Sequence, residues 1–165
     1  GRQMSRLVED ITGNELTFRI IGAAMTVHNS LGAGYKEEIY EKALELELNR
    51  QEIACVRQYP VNVHYIDMNV GQFYLDLFVE NQVVVECKAL SHPLTDDETA
   101  QVINYLVAAD CKVGLLFNFG RRRLEYKRIF PPGDKDAYLG RVGRDDINKA
   151  GRGWVKPDEK KGKKD

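Results

Sequence analysis

The chain has 165 residues, of which 43% are hydrophobic and 30% charged, with a formal net charge of −1. That composition is ordinary for a soluble globular protein and is enough for one domain with a real core. No run of about 18 apolar residues could span a membrane, and no apolar N-terminal stretch resembles a signal peptide.

Taken in chain order, Thr12-Gly-Asn-Glu15 has the spacing of a capping box. Leu16, Ile20, Met25 (or Ala24), Val27 and Leu31 then follow helical spacing until Gly32 and Gly34 stop it. His28 lies in this helix and is expected to pack or cap rather than to bind a ligand. A second helix is expected from about Lys36 to Arg50, with Glu37, Tyr40, Leu44 and Leu48 (or Glu47) on one face. Glu37 heads that inward stripe, or simply complements the helix dipole. Residues 53–65 read as a strand, with Pro60 marking an irregularity or an edge. Asp67-Met-Asn69 and Gly71 read as a turn.

The segment Gln72–Val79 and the run Val83–Val85 are strand-like, joined through Glu80-Asn81-Gln82. Thr95-Asp-Asp-Glu98 is a second capping box, opening a helix to about Ala109 on which Gln101 and Tyr105 are neighbours at i, i+4. Val113–Phe117 reads as a buried strand and Leu124–Phe130 as a final one. From Pro131 the composition turns polar, and residues 131–165 are expected to form a loosely ordered tail, touching down through Tyr138 or Trp154. The expected class is therefore α/β (or α+β). A mixed sheet is flanked by helices in the order α-α-β-β-β-α-β-β, with the domain at residues 5–130 and the last crossover returning parallel.

The chemistry concentrates at Asp76 and Glu86-Cys87-Lys88. Alternate residues of a strand share a face, so Glu86 and Lys88 project together. If Asn81 centres a three-residue loop, residues whose numbers sum to 162 oppose one another, and Asp76 lies across from Glu86. A two-residue loop would send the two acids to opposite faces. Two carboxylates and an ammonium among apolar side chains point to a divalent cation, since isolated buried charge is costly. Charges on the wet face of a sheet are the plainer alternative.

Cys55, Cys87 and Cys111 are too few and too scattered for a zinc ribbon, a disulfide framework or a four-cysteine cluster. They are expected as small buried hydrophobes in a reducing, cytoplasmic setting. Arg121, Arg122, Arg123, Lys127 and Arg128 surround the one acid Glu125. Such a cluster suits phosphate backbones, or guards an edge strand by charge.

The element order with Asp76…Glu86-x-Lys88 resembles the PD-(D/E)XK nuclease superfamily. Within it, Gly34-Tyr-Lys-Glu37-Glu-Ile-Tyr40 is similar to the signature of the GxxExxY family, flanked by Val27-His28-x-x-Leu31-Gly32 and by Asn118-Phe119-Gly120. The resemblance covers roughly residues 10–130. It implies that Asp76 and Glu86 are metal-binding carboxylates, that the backbone carbonyl of Cys87 reaches the metal, and that Lys88 is the catalytic lysine. Glu37 matches a further acidic ligand or its neighbour. Gln101 and Tyr105 match the glutamine and tyrosine on the helix after the lysine, and Tyr40 belongs to the signature as a supporting residue.

Oxygen donors of this kind suit Mg²⁺ or Mn²⁺. The expectation is a metal-dependent nuclease hydrolysing phosphodiester bonds of DNA, with Arg121, Arg122, Arg123 and Lys127 as backbone contacts. The alternative is a non-catalytic nucleic-acid-binding or protein-interaction module that keeps the fold. A third reading takes the acids as an ion cluster that serves stability alone.

Overall fold

Two glycines set the first corner of the chain. The computed structural model describes residues 14–132, and its first helix, α1 (Asn14–Leu31), ends where Gly32 and Gly34 adopt φ of 70° and 117°. Side chains rarely tolerate those angles, so glycine ends the helix at little cost. Helix α2 (Glu37–Arg50) follows, burying Tyr40, Glu41, Leu44 and Leu48. The Thr12 cap, and Tyr138 and Trp154 of the tail, lie outside the described residues.

Strands β1 (Cys55–Tyr65), β2 (Met68–Val79) and β3 (Val83–Lys88) form an antiparallel run. Helix α3 (Asp96–Ala109) then carries the chain to β4 (Val113–Asn118), parallel to β3, and β5 (Glu125–Ile129) returns antiparallel along β4. The sheet order is β1-β2-β3-β4-β5. The protein is thus α+β, three helices about a five-stranded mixed sheet.

Every residue of β4, and every residue of β3 except Lys88, is buried. Alternate residues face opposite ways, so both faces of these central strands are covered. Gly114 lets α3 settle: a Cβ there would stand 2.9 Å from Val102 Cγ1 and 3.3 Å from Leu106 Cδ2. Leu115 beside it is fully buried, and truncation to alanine would cost about 2–5 kcal/mol. The Thr95 capping box forms, with the Thr95 N–H donating to Glu98 Oε1 at 2.6 Å and the Asp97 N–H to Thr95 Oγ1 at 3.3 Å.

The β2–β3 loop has the odd length that the acids require. Val79 faces Val83, Phe78 faces Val84 and Leu77 faces Val85, with Glu80 and Asn81 at φ of 51° and 53°. The β1–β2 corner differs from expectation. The chain turns at Ile66 and Asp67, φ 47° and 60°, in the two-residue geometry whose twist matches a hairpin. Asn69 and Gly71 instead flank a register shift: Val63 faces Gly71 and His64 faces Asn69, so Val70 is the extra residue. Of the cysteines, only Cys87 is fully buried, Cys55 and Cys111 are half-buried, and all three thiols are free. Among the described residues no helix is long and apolar enough to cross a membrane.

Candidate active site

The β2–β3 ladder ends at Leu77 and Val85, one step short of the acids. Beyond it the side chains take over. Asp76 N–H donates to Glu86 Oε2 at 2.9 Å, and Cys87 N–H donates to Asp76 Oδ2 at 2.9 Å. Each carboxylate thus replaces a missing rung by binding the opposite strand. Among the described residues, neither acid forms an ion pair, and no hydrogen bond reaches Asp76 Oδ1 or Glu86 Oε1.

Burial makes this arrangement electrostatically tense. Glu86 is 3% exposed, and its carboxyl is held well above the ordinary range, first by burial and then by the Asp76 charge. Asp76 is pushed up to about 6, again mainly by burial, with the Cys87 N–H and Lys88 opposing and Glu41 and Glu37 reinforcing. The same field reaches α3, where burial and then the Glu86 and Asp76 charges push the Tyr105 hydroxyl up to about 12. Tyr105 therefore stays protonated, its ring stacked on Phe73 at 4.2 Å.

Lys88 closes β3 and points its ammonium at Gln101 Oε1, 2.8 Å away on α3. The i+2 spacing from Glu86 sets its direction, and the N-terminal cap of α3 fixes the height of Gln101. Glu37 is exposed, contrary to an inward-facing stripe, yet its Oε2 accepts the Ala89 N–H at 3.2 Å, just past Lys88. As the first residue of α2 it sits at the end of the buried row rather than within it. Tyr40 does not touch the acids. Its ring stacks on Phe119 at 4.7 Å, its hydroxyl donates to Gly32 O, and the Tyr35 N–H donates to it at 3.1 Å. It pins the glycine corner that delivers Glu37.

A second latch, built from Asn118 and Gly120, holds the segment after Lys88. Fully buried Asn118 accepts from Leu90 N–H at 2.9 Å and from Gly120 N–H at 3.1 Å, and donates to His92 O at 3.0 Å. A Cβ on Gly120 would lie 2.4 Å from Leu90 O, so only glycine fits. Past it, the basic loop begins with half-buried Arg121 and exposed Arg122 and Arg123. His28, a packed residue as expected, tethers this loop by its Nε2 contact with Arg121 O at 2.8 Å. Lys127 lies on β5 opposite Leu116. Glu125 accepts the Leu94 N–H at 3.0 Å.

One site residue escaped the sequence pattern. Glu41 is buried, and its Oε1 accepts from Arg57 Nε at 2.9 Å and from Gln58 Nε2 at 2.7 Å. Its position four residues after Glu37, on the same helix face, was the available signal.

Whether a cation suits these residues can be judged from their donors. Among the described residues no three His, Cys, Asp or Glu side chains gather into a ready cage. Two hard carboxylates, each with a spare oxygen and neither in an ion pair among the described residues, do stand together. Mg²⁺ commonly takes one or two carboxylates and keeps several waters, so the donor set fits. A family model for the PD-(D/E)XK nuclease superfamily matches residues 14–129, and the chain belongs to that superfamily. Membership points to a nuclease acting on phosphodiester bonds of nucleic acid. No curated protein matches the chain.

Proposed function

We propose that the protein is a Mg²⁺- or Mn²⁺-dependent deoxyribonuclease of the GxxExxY group, acting in the cytoplasm. The observation that carries this reading is the Asp76–Glu86 pair, buried, in no ion pair among the described residues and beside Lys88. Asp76, Glu86 and the Cys87 carbonyl would hold the cation, with Glu37 as a further ligand or neighbour. When bound, the cation polarises a phosphoryl oxygen and lowers the pKa of water.

The remaining work falls to the chain itself. Gln101 fixes one direction of the Lys88 ammonium at 2.8 Å, leaving its other protons to hold the attacking water or the charge that develops on phosphorus. Tyr105, kept protonated, can donate to a phosphate oxygen. Tyr40 supports Glu37 through the glycine corner. Arg121, Arg122, Arg123 and Lys127 would contact the backbone of DNA, steering it over the end of β3. Residues 5–130 would form the catalytic unit and 131–165 a polar appendage. Free thiols at all three cysteines suit a reducing compartment.

The test is a cleavage panel of linear, circular and single-stranded DNA and RNA, with either cation and with EDTA. Expected are DNA products that need the cation, vanish in Glu86→Gln and fall steeply in Lys88→Met. Cleavage that persists in EDTA, or in both variants, would overturn the assignment. Products from RNA alone would overturn the choice of DNA.

A further inference from the structure

Glu41 takes no part in the chemistry just described, yet it is 5% exposed and bound twice. Arg57 and Gln58 are consecutive in β1, and consecutive strand residues point to opposite faces. Both nevertheless donate to the same atom, Glu41 Oε1. They can do so because Gln58 adopts φ of 53°, left-handed and strained for a residue other than glycine.

The side-chain alternation of β1 therefore slips at Gln58. Val56 pairs with Phe78, and a regular strand would put Tyr59 on the other face, but the Tyr59 and Phe78 rings lie 4.7 Å apart. The pairs Arg57–Leu77 and Tyr59–Leu75 bracket the break, which leaves Gln58 opposite Asp76. A strained strand residue held by a buried carboxylate thus faces one of the two acids.

We infer that Glu41 is a positioning residue: by clamping Arg57 and Gln58 it holds β1 in the break that faces Asp76, and so sets where the Asp76 carboxylate stands. The inference rests on the reading of Asp76 and Glu86 as cation ligands. Glu41 also adds, after burial, to the field that raises both carboxyls.

The test is calorimetric titration of the full chain with Mn²⁺, with melting followed by circular dichroism. Glu41→Gln is expected to bind Mn²⁺ roughly tenfold to hundredfold more weakly. Gln58→Gly, which loses the amide contact but adopts the left-handed angle without strain, should bind more tightly than Gln58→Val. Gln58→Val, whose branched side chain resists that angle, should follow Glu41→Gln. Wild-type affinity in Glu41→Gln, even with a lowered melting temperature, would make the residue merely structural and overturn the inference. Should Glu41→Gln fail to fold, equal affinity in the two Gln58 variants would overturn it. A wild-type protein that takes up no Mn²⁺ sinks the cation reading itself, a separate failure.

Discussion

Asp76 and Glu86 each bind the other's strand. Glu86 Oε2 accepts the N–H of Asp76, and Asp76 Oδ2 accepts the N–H of Cys87, both at 2.9 Å. The two acids are therefore parts of the sheet as well as parts of the site, and an alanine at either position would remove a rung together with a charge. Asparagine and glutamine keep an accepting oxygen, so they separate the two roles.

The metal-free protein should lose stability as pH rises. Burial above all moves the Asp76 carboxyl from 3.8 to about 6. A group whose folded pKa exceeds its unfolded one stabilises fully below about pH 4 and no longer does so above about pH 6. The swing is on the order of 3 kcal/mol, and Glu86 shifts in the same direction. In EDTA, Asp76→Asn should gain melting temperature relative to wild type across that window. A flat difference would contradict a carboxyl raised by burial.

The cation should reverse that trend. Mn²⁺ competes with the same protons, so it should raise the melting temperature clearly at about pH 8 and little at about pH 5. At a concentration of a hundred times Kd the gain is about 2.7 kcal/mol. Equal gains at both pH values would place the ion elsewhere.

Lys88→Met should lower kcat by about 10²–10³-fold, the usual loss of one preorganised donor. Removing a cation beside Asp76 and Glu86 should leave Mn²⁺ affinity unchanged or tighter. Calorimetry beside single-turnover cleavage distinguishes this from a folding defect.

Gly120→Ala should destabilise the fold by about 1–3 kcal/mol, because the added methyl meets the backbone of Ala89 and Leu90, which cannot swing aside. The same shift displaces the segment held by Phe119 N–H on Lys88 O at 2.8 Å. Cleavage should therefore fall further than denaturant melts alone would explain.

Arg122→Ala with Arg123→Ala should weaken DNA binding uniformly over sequences. The slope of log affinity against log salt should drop by about 2, one unit per lost phosphate contact. An unchanged slope would mean that these exposed arginines merely shield the strand edge.

Local signals carried much of this structure. An odd loop about Asn81 fixes which residues of β2 and β3 meet, and Val79 does face Val83. The Thr95–Glu98 spacing announces its helix because both capping partners lie within one turn. Glu41 was hard to read for the opposite reason: its partners lie 16 and 17 positions away, and the spacing from Glu37 alone does not tell it from any other helical glutamate. The left-handed angle of Gln58 leaves no mark in a residue type that usually avoids it. The Asp67–Gly71 segment misled because asparagine and glycine mark bulges as readily as turns.

The position of β3 between a tight hairpin and a long parallel crossover has a consequence for assembly. Its contacts with β2 close a loop of three residues, whereas those with β4 must wait for residues 89–112 and the helix they contain. Short closures form faster than long ones. On a nascent chain the aspartate and glutamate would then meet before the asparagine latch and the arginine loop arrive.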